Sequence, residues 1–236
     1  MNVALILAGG SGKRTEQDVP KQFINVFDKP IIIYTLEAFQ KHPDIDGIIV
    51  SCLEGWEEIL RAYAREYGIT KLKWVVTGGE NGQASARIAL YELEKVCTED
   101  DIVLIHDGVR PMLGGDVISD CIVTCRRYGN ALSAIRCQET VVGTEDGISG
   151  DVSIHRNTIM RVMTPQAYRF GRVLWGHKEA LKRGITNAVY TNTLMLDLGE
   201  RVYFSTGSAK NLKLTTLEDI EIFKALYSAE QEDWIK

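Results

Sequence analysis

The sequence predicts an α/β fold: a mainly parallel, twisted sheet of Rossmann-like type with helices on both faces. Three observations carry this. Short runs rich in Val and Ile recur along the chain, each followed by a polar or Gly-containing loop. Stretches of helical period lie between them. The runs are nearly continuous in apolar residues, as strands covered on both faces must be, and parallel neighbours need crossovers of this length.

Val3–Leu7 is the first strand; it is too short for a secretory signal, has no basic region before it, and meets glycines at once. Ile32, Thr35, Leu36 and Phe39 share one helical face, and Ile48–Cys52 is the second strand. Trp56, Ile59, Leu60, Tyr63 and Tyr67 mark the next helix, Trp74–Val76 the third strand, and Ala86, Ala89, Leu90 and Leu93 a third helix before the strand Ile102–Ile105. After Ala131–Ile135 the pattern changes. Cys137 to His155 shows short alternation with Gly143, Gly147 and Gly150 as turn residues, which reads as a protruding hairpin. Such an excursion is either an arm packing on a second subunit or a plain surface loop. A helix at Val173–Lys182, strands at Val202–Ser205 and Leu212–Leu214, and a last amphipathic helix from Leu217 to Tyr227 complete the reading. With no linker or repeat, residues 1–236 are expected to form one domain.

Composition bounds the function. The 236 residues are 45% hydrophobic and 25% charged, in the globular range and outside the disordered and membrane classes. Lys+Arg 27 against Asp+Glu 32 gives a net charge of −5, so no global field draws nucleic acid or an anionic membrane. Any bound anion must be held locally. The five cysteines are an odd number without a Cys-x-x-Cys pair, and Cys121 and Cys125 are spaced for one helix face. They are read as reduced core thiols, which with the missing signal peptide points to the cytoplasm.

Ligands of open α/β sheets bind at the carboxyl ends of the strands, so the informative loops are Ala8–Lys21, Thr77–Gln83 and Asp107–Leu113. Leu7-Ala8-Gly9-Gly10-Ser11-Gly12-Lys13-Arg14 follows the first strand directly, and its glycines let backbone N–H groups approach an anion. It fits neither a P-loop nor a dinucleotide fingerprint. A tight turn with solvated cations is the plain alternative. Pro20-Lys21-Gln22 adds a third cation, and three cations gathered on one loop call for an anion such as a triphosphate.

These residues, with His106-Asp107-Gly108-Val109-Arg110-Pro111, Arg156-Asn157, Thr164-Pro165-Gln166 and Asn211-Leu212-Lys213-Leu214-Thr215, resemble in order and spacing the cytidylyltransferases acting on polyol phosphates. The resemblance spans nearly the whole chain. It implies a nucleotidyltransferase that transfers CMP from CTP to a polyol phosphate and releases pyrophosphate. The run Lys29–Glu37 and the opening Ala-Gly-Gly look more like the branch using D-ribitol 5-phosphate, for wall or capsule polymers, than the one using 2-C-methyl-D-erythritol 4-phosphate, for isoprenoids. A nucleotide-binding protein without transfer activity is a further alternative, and a dehydrogenase has the right sheet but the wrong loop.

By the same resemblance Arg14, Lys21 and Lys213 are the catalytic cations on the CTP phosphates. Leu7, Ala8, Gly9, Gly10, Gly12, Lys13, Gly79, Ser85, Asp107 and Arg110 would bind the nucleotide, and Asp107 would hold Mg2+ or another divalent cation. Asp107 has a simpler role as a turn cap, and Lys213 as an exposed strand residue. Arg156, Thr164, Thr191 and Asn192 would bind the acceptor, Arg156 from the neighbouring subunit of a homodimer joined through the arm at about 137–156. Two positions depart from the family pattern: Gly82 stands where an Arg is usual, with Arg87 as the nearest substitute, and Asn192 stands where an acid is usual.

Overall fold

Along β1 (Asn2–Ala8) the side chains divide the interior in two: Ala4, Ile6 and Ala8 face one way and Val3 and Leu5 the other, all buried. The computed structural model describes residues 1–10 and 19–231. β1 pairs in parallel with β4 (Gly47–Cys52) and β6 (Ile102–Asp107), and β4 in parallel with β5 (Leu72–Thr77). On the other side β10 (Met160–Arg169) runs antiparallel between β6 and β7 (Asn130–Arg136), and β11 (Phe204–Thr206) lies parallel to β7. The seven-stranded order is β11-β7-β10-β6-β1-β4-β5. Two short strands, β2 (Asn25–Val26) and β3 (Lys29–Pro30), form a separate hairpin.

Helices cover both faces, as the alternation predicts. α1 (Ile31–Lys41), α2 (Glu57–Glu66) and α4 (Gly115–Tyr128) pack on the face of Ala4 and Ile6 through Leu36, Phe39, Leu60, Ile118, Cys121 and Ile122. α3 (Gly82–Leu93) and α5 (Phe170–Lys182) cover Val3 and Leu5 through Ala89, Leu90, Leu93 and Val173, with Met195 of α6 (Thr191–Asp197) at the margin. Each large aliphatic side chain taken from water there contributes about 1.5–3 kcal/mol. α7 (Leu217–Gln231) closes a satellite core in which Ile220 and Phe223 meet Tyr34, Val109 and Leu214. Cys121 and Cys125 sit on the buried face of α4, where burial pushes both thiols up to about 12.

Three expectations change. β10 is an inner strand that the sequence reading missed, because Pro165 lacks an N–H and argues against a central position; the register shifts between Val162 and Gln166, and the proline falls inside that irregularity. Leu212–Leu214 is extended chain outside any ladder, tied by Leu214 N–H to Val109 O at 2.9 Å, and the preceding strand starts at Phe204. β5 lies at the sheet edge and is only half covered. The excursion is a hairpin, β8 (Val141–Gly143) with β9 (Val152–Ile154), as its glycines and alternation suggest.

Topology places the site. The carboxyl ends of β1, β4, β5, β6 and β7 share one edge, and because β10 is reversed its amino end joins them there. The hairpin, spliced between β7 and β10, therefore projects from that same edge.

Candidate active site

The loops after β1 and β5 meet over the end of β4. Leu53 N–H donates to Ala8 O at 3.1 Å and Gly78 N–H to Cys52 O at 2.6 Å. A Cβ on Gly78 would stand 3.1 Å from Gly9 Cα, and one on Gly79 would stand 2.5 Å from Ala84 Cβ, so this floor is closed to larger residues. Ser85 Oγ accepts from Gly79 N–H at 3.0 Å, and Asn81 caps α3 by accepting from Ala84 N–H at 2.8 Å. Leu7 O accepts from Gly108 N–H at 2.9 Å, which brings the loop after β6 alongside. Gly9, Gly79 and Ser85 thus lie together, and Gly10 is exposed beside them. Gly12, Lys13 and Arg14 lie outside the described residues.

Pro20-Lys21-Gln22 forms a tight turn over Lys21–Phe23 whose Phe23 ring stacks on Trp56 at 4.6 Å. Gln22, buried, donates through Nε2 to Ala8 O at 2.8 Å and Gly10 O at 3.0 Å, fixing the glycine loop from behind. Lys21 is half-buried near the head of α7. Burial opposes ionisation of Asp219 there, but the N–H groups of Thr215 and Thr216 and the charge of Lys21 hold its carboxyl below the usual value.

The second cluster centres on Asp107, buried at the end of β6. Its Oδ2 accepts from Arg110 Nε at 2.8 Å and its Oδ1 from Lys213 Nζ at 3.1 Å. Burial alone would raise this carboxyl, yet Lys213 and Arg110 outweigh it and keep the pKa below the ordinary carboxylate value. Lys213 reaches the cluster because its neighbours Leu212 and Leu214 pack into the satellite core, which turns the residue between them the other way. Arg110 also donates to Asn211 O at 2.7 Å, so its fork is committed to holding the loop. His106 points inward; burial drops its pKa to about 4 and keeps the ring neutral.

The third cluster is on β10 and α6. Thr164 Oγ1 accepts from Asp107 N–H at 3.2 Å, and Thr164 O accepts from Asn211 Nδ2 at 2.6 Å. Gln166 bonds both the side chain and the backbone of Asn192, and Thr191 opens α6 beside it. Tyr190 lies under Lys213, whose Nζ is 5.3 Å from the ring centroid. The segment before Tyr190 is clasped to α3: Gln83 donates to Ile185 O at 2.6 Å and accepts from Ala188 N–H at 2.8 Å, and Asn81 donates to Thr186 O at 3.1 Å. At Gly82, among the described residues, a Cβ would meet only Val189 O, at 3.9 Å. The charge of Arg87, after burial, helps lower the pKa of His177 on α5. Arg156 is exposed at the root of the hairpin, donating to Gln138 O at 3.0 Å, apart from the other clusters within one chain.

Lys21, Asp107, Lys213, Thr164, Thr191 and Asn192 therefore border one edge of the sheet with the glycine floor. Sequence reading missed the buried amides that arrange them, Gln22, Gln83, Gln166 and Asn211; the one available signal was that each is a polar residue against an apolar run or proline. Chemically, the arrangement offers backbone N–H groups and cations for an anion. Among the described residues no cluster of three His, Cys, Asp or Glu could hold a metal unaided. Asp107 alone, kept ionised, fits a hard cation of the Mg2+ type that takes one or two carboxylates and completes its shell with phosphate oxygens and water.

Comparison with known proteins identifies the family. A family model described as IspD, 2-C-methyl-D-erythritol 4-phosphate cytidylyltransferase, matches residues 2–228. The ribitol-5-phosphate cytidylyltransferase of Lacticaseibacillus paracasei is 47% identical, over 98% of this chain and 100% of that protein. The 2-C-methyl-D-erythritol 4-phosphate cytidylyltransferase of Clostridium acetobutylicum is 35% identical over 98% of this chain and 96% of its own. A solved 4-diphosphocytidyl-2C-methyl-D-erythritol synthase from Anaerococcus prevotii superposes with a TM-score of 0.81 at 25% identity, over 97% of this chain and 96% of that one.

Proposed function

The chain belongs to the IspD cytidylyltransferase family, and from that membership we propose that it is a ribitol-5-phosphate cytidylyltransferase. As a member it is a CTP-dependent nucleotidyltransferase acting on a polyol phosphate. The observation that carries the choice of D-ribitol 5-phosphate is the 47% identity over full length to an enzyme of that name, against 35% to one using the methylerythritol phosphate. The reading of Lys29–Glu37 supports the same branch. The methylerythritol phosphate remains the second reading, favoured by the description of the family model itself.

In the reaction, a phosphate oxygen of the acceptor attacks the α-phosphorus of CTP; the bond to the β-phosphoryl oxygen breaks, and pyrophosphate leaves with CDP-polyol as the other product. Both reactants are anions, so the chain's work is to hold them in line and offset their repulsion. Leu7, Ala8, Gly9 and Gly10, with Gly12 and Lys13, would cradle the triphosphate. Gly79 and Ser85 would line the nucleoside side. Lys21, Lys213 and Arg14 would neutralise charge building at the α-phosphorus. Asp107, held ionised by Lys213 and Arg110, would carry the divalent cation, which supplies Lewis-acid stabilisation of the phosphate oxygens. Arg110 acts by fixing Asp107. Thr164, Thr191 and Asn192 would contact the acceptor.

Arg156 is the acceptor-phosphate ligand of this proposal, delivered across a homodimer by the hairpin. Its exposure at the hairpin root, and the exposed Ile148, Val152 and Val142 on the hairpin, support an arm that packs on a second copy. No helix among the described residues is long and apolar enough to cross a membrane; we place the enzyme in the cytoplasm because both of its proposed substrates are water-soluble. Pyrophosphate release with CTP, Mg2+ and each polyol phosphate tests the assignment. Turnover with D-ribitol 5-phosphate at least tenfold more efficient than with the methylerythritol phosphate is expected; the reverse order would transfer the enzyme to the other branch, and no release with either would remove the activity.

A further inference from the structure

Gln166 and Asn192 are joined so that neither amide can be turned round, and one backbone group fixes the polarity of both. The Asn192 N–H can only donate, and it lies 3.1 Å from Gln166 Oε1. Gln166 therefore presents its oxygen to that N–H, and the Tyr168 hydroxyl donates to the same oxygen at 3.2 Å. The remaining end of Gln166, Nε2, can only donate, and the Asn192 side-chain atom 2.9 Å away must accept. That atom is Oδ1. It follows that Nδ2 of Asn192 is the end turned away from Gln166. Gln166 is 3% exposed and Asn192 9%, so water does not compete for these bonds.

The pair stands among the proposed acceptor groups. Asn192 follows Thr191 and lies two residues from Tyr190, the ring beneath Lys213. Gln166 is two residues from Thr164, whose hydroxyl accepts from Asp107 N–H. Resting on the transferase reading above, we propose that Gln166 is a positioning residue which locks Asn192 with its amide N–H toward the acceptor, and that Asn192 selects the polyol phosphate by donating to one of its oxygens. Sites built to hydrogen-bond a substrate reject a mismatch because a buried polar group is left unpaired.

Two chemically different substitutions should converge. N192D still accepts from Gln166 Nε2, but turns a carboxylate oxygen outward in place of N–H. Q166E cannot donate, so Asn192 must rotate its amide and turn Oδ1 outward. Each should raise KM for D-ribitol 5-phosphate about tenfold or more, the loss of roughly one hydrogen bond, with KM for CTP within twofold of wild type. N192A, which removes the donor without adding an oxygen, should raise the acceptor KM by less than N192D. A merely structural role would move both KM values together. Acceptor KM within twofold in N192D and Q166E, or an equal rise for CTP, overturns the proposal; if N192D does not fold, Q166E and N192A carry the same comparison. Wild-type behaviour separates the two levels. No pyrophosphate release from wild type with any polyol phosphate removes the transferase reading and this inference with it, whereas normal wild-type turnover with unaltered variant KM removes this inference alone.

Discussion

Gln22 illustrates how one buried amide governs a loop it does not belong to. Its Nε2 reaches the carbonyls of Ala8 and Gly10, so the start of the glycine loop is held at two points. Removing it in Gln22→Ala forfeits two hydrogen bonds of about 1 kcal/mol each. The expected result is a rise of about tenfold in KM for CTP with KM for the acceptor nearly unchanged, measured by steady-state pyrophosphate release. At this scale the sequence was half legible. Asp107 and Lys213 stood out through the motifs that carry the family resemblance, Asp107 also by its place at the end of an apolar strand, and the pair is found 3.1 Å apart. Gln22, Gln166 and Asn211 lay inside the same motifs but were given no role, because a neutral amide carries no mark of burial until the fold supplies its partners. Arg14 lies outside the described residues, so its part in the cation cluster rests on motif alone.

Among the elements, α5 carries a titratable liability. His177 is fully buried with no partner for either ring nitrogen among the described residues, and burial, aided by Arg87, lowers its pKa to about 4 from 6.5. The folded state thus refuses a proton that the unfolded chain accepts. Its contribution to stability is complete above pH 6.5, shrinks as pH falls, and is gone once pH passes about 4. His177→Met should flatten the dependence of the urea midpoint on pH across that window, relative to wild type. Element reading was most secure for β1, β4 and β6, whose uninterrupted apolar runs sit at the centre of the sheet. It failed at β10, where Pro165 hid an inner strand, and at Leu212–Leu214, where an extended segment outside any ladder mimicked a strand pattern. Propensity sees local chain, and both cases were decided by neighbours distant in sequence.

For the whole molecule, the proposed nucleotide floor and acceptor wall are built from opposite halves of the sheet and meet at Asp107. Gln83 and Asn81 clasp the 185–188 segment to the head of α3, tying the two halves together. The arm is different in kind: Ile148 is 92% exposed, with Val142 and Val152 also exposed on the same hairpin, an apolar surface of the sort a second copy could cover. Ile148→Asp should convert a dimer to a monomer in analytical ultracentrifugation and weaken acceptor use while leaving CTP binding by calorimetry within twofold. A monomer already in the wild type, or an unaltered sedimentation coefficient in the variant, would count against the arm as an interface.

The reversed strand β10 has one more consequence. Because it enters the sheet at the edge where the parallel strands end, everything between Arg136 and Met160 is a cassette attached at two adjacent points, and its length or sequence can drift without rewiring the parallel strands beneath the glycine floor. If the arm pairs subunits and delivers Arg156 as proposed, transplanting that cassette between relatives should reassign subunit pairing and phosphate capture together, with the nucleotide chemistry inherited from the host.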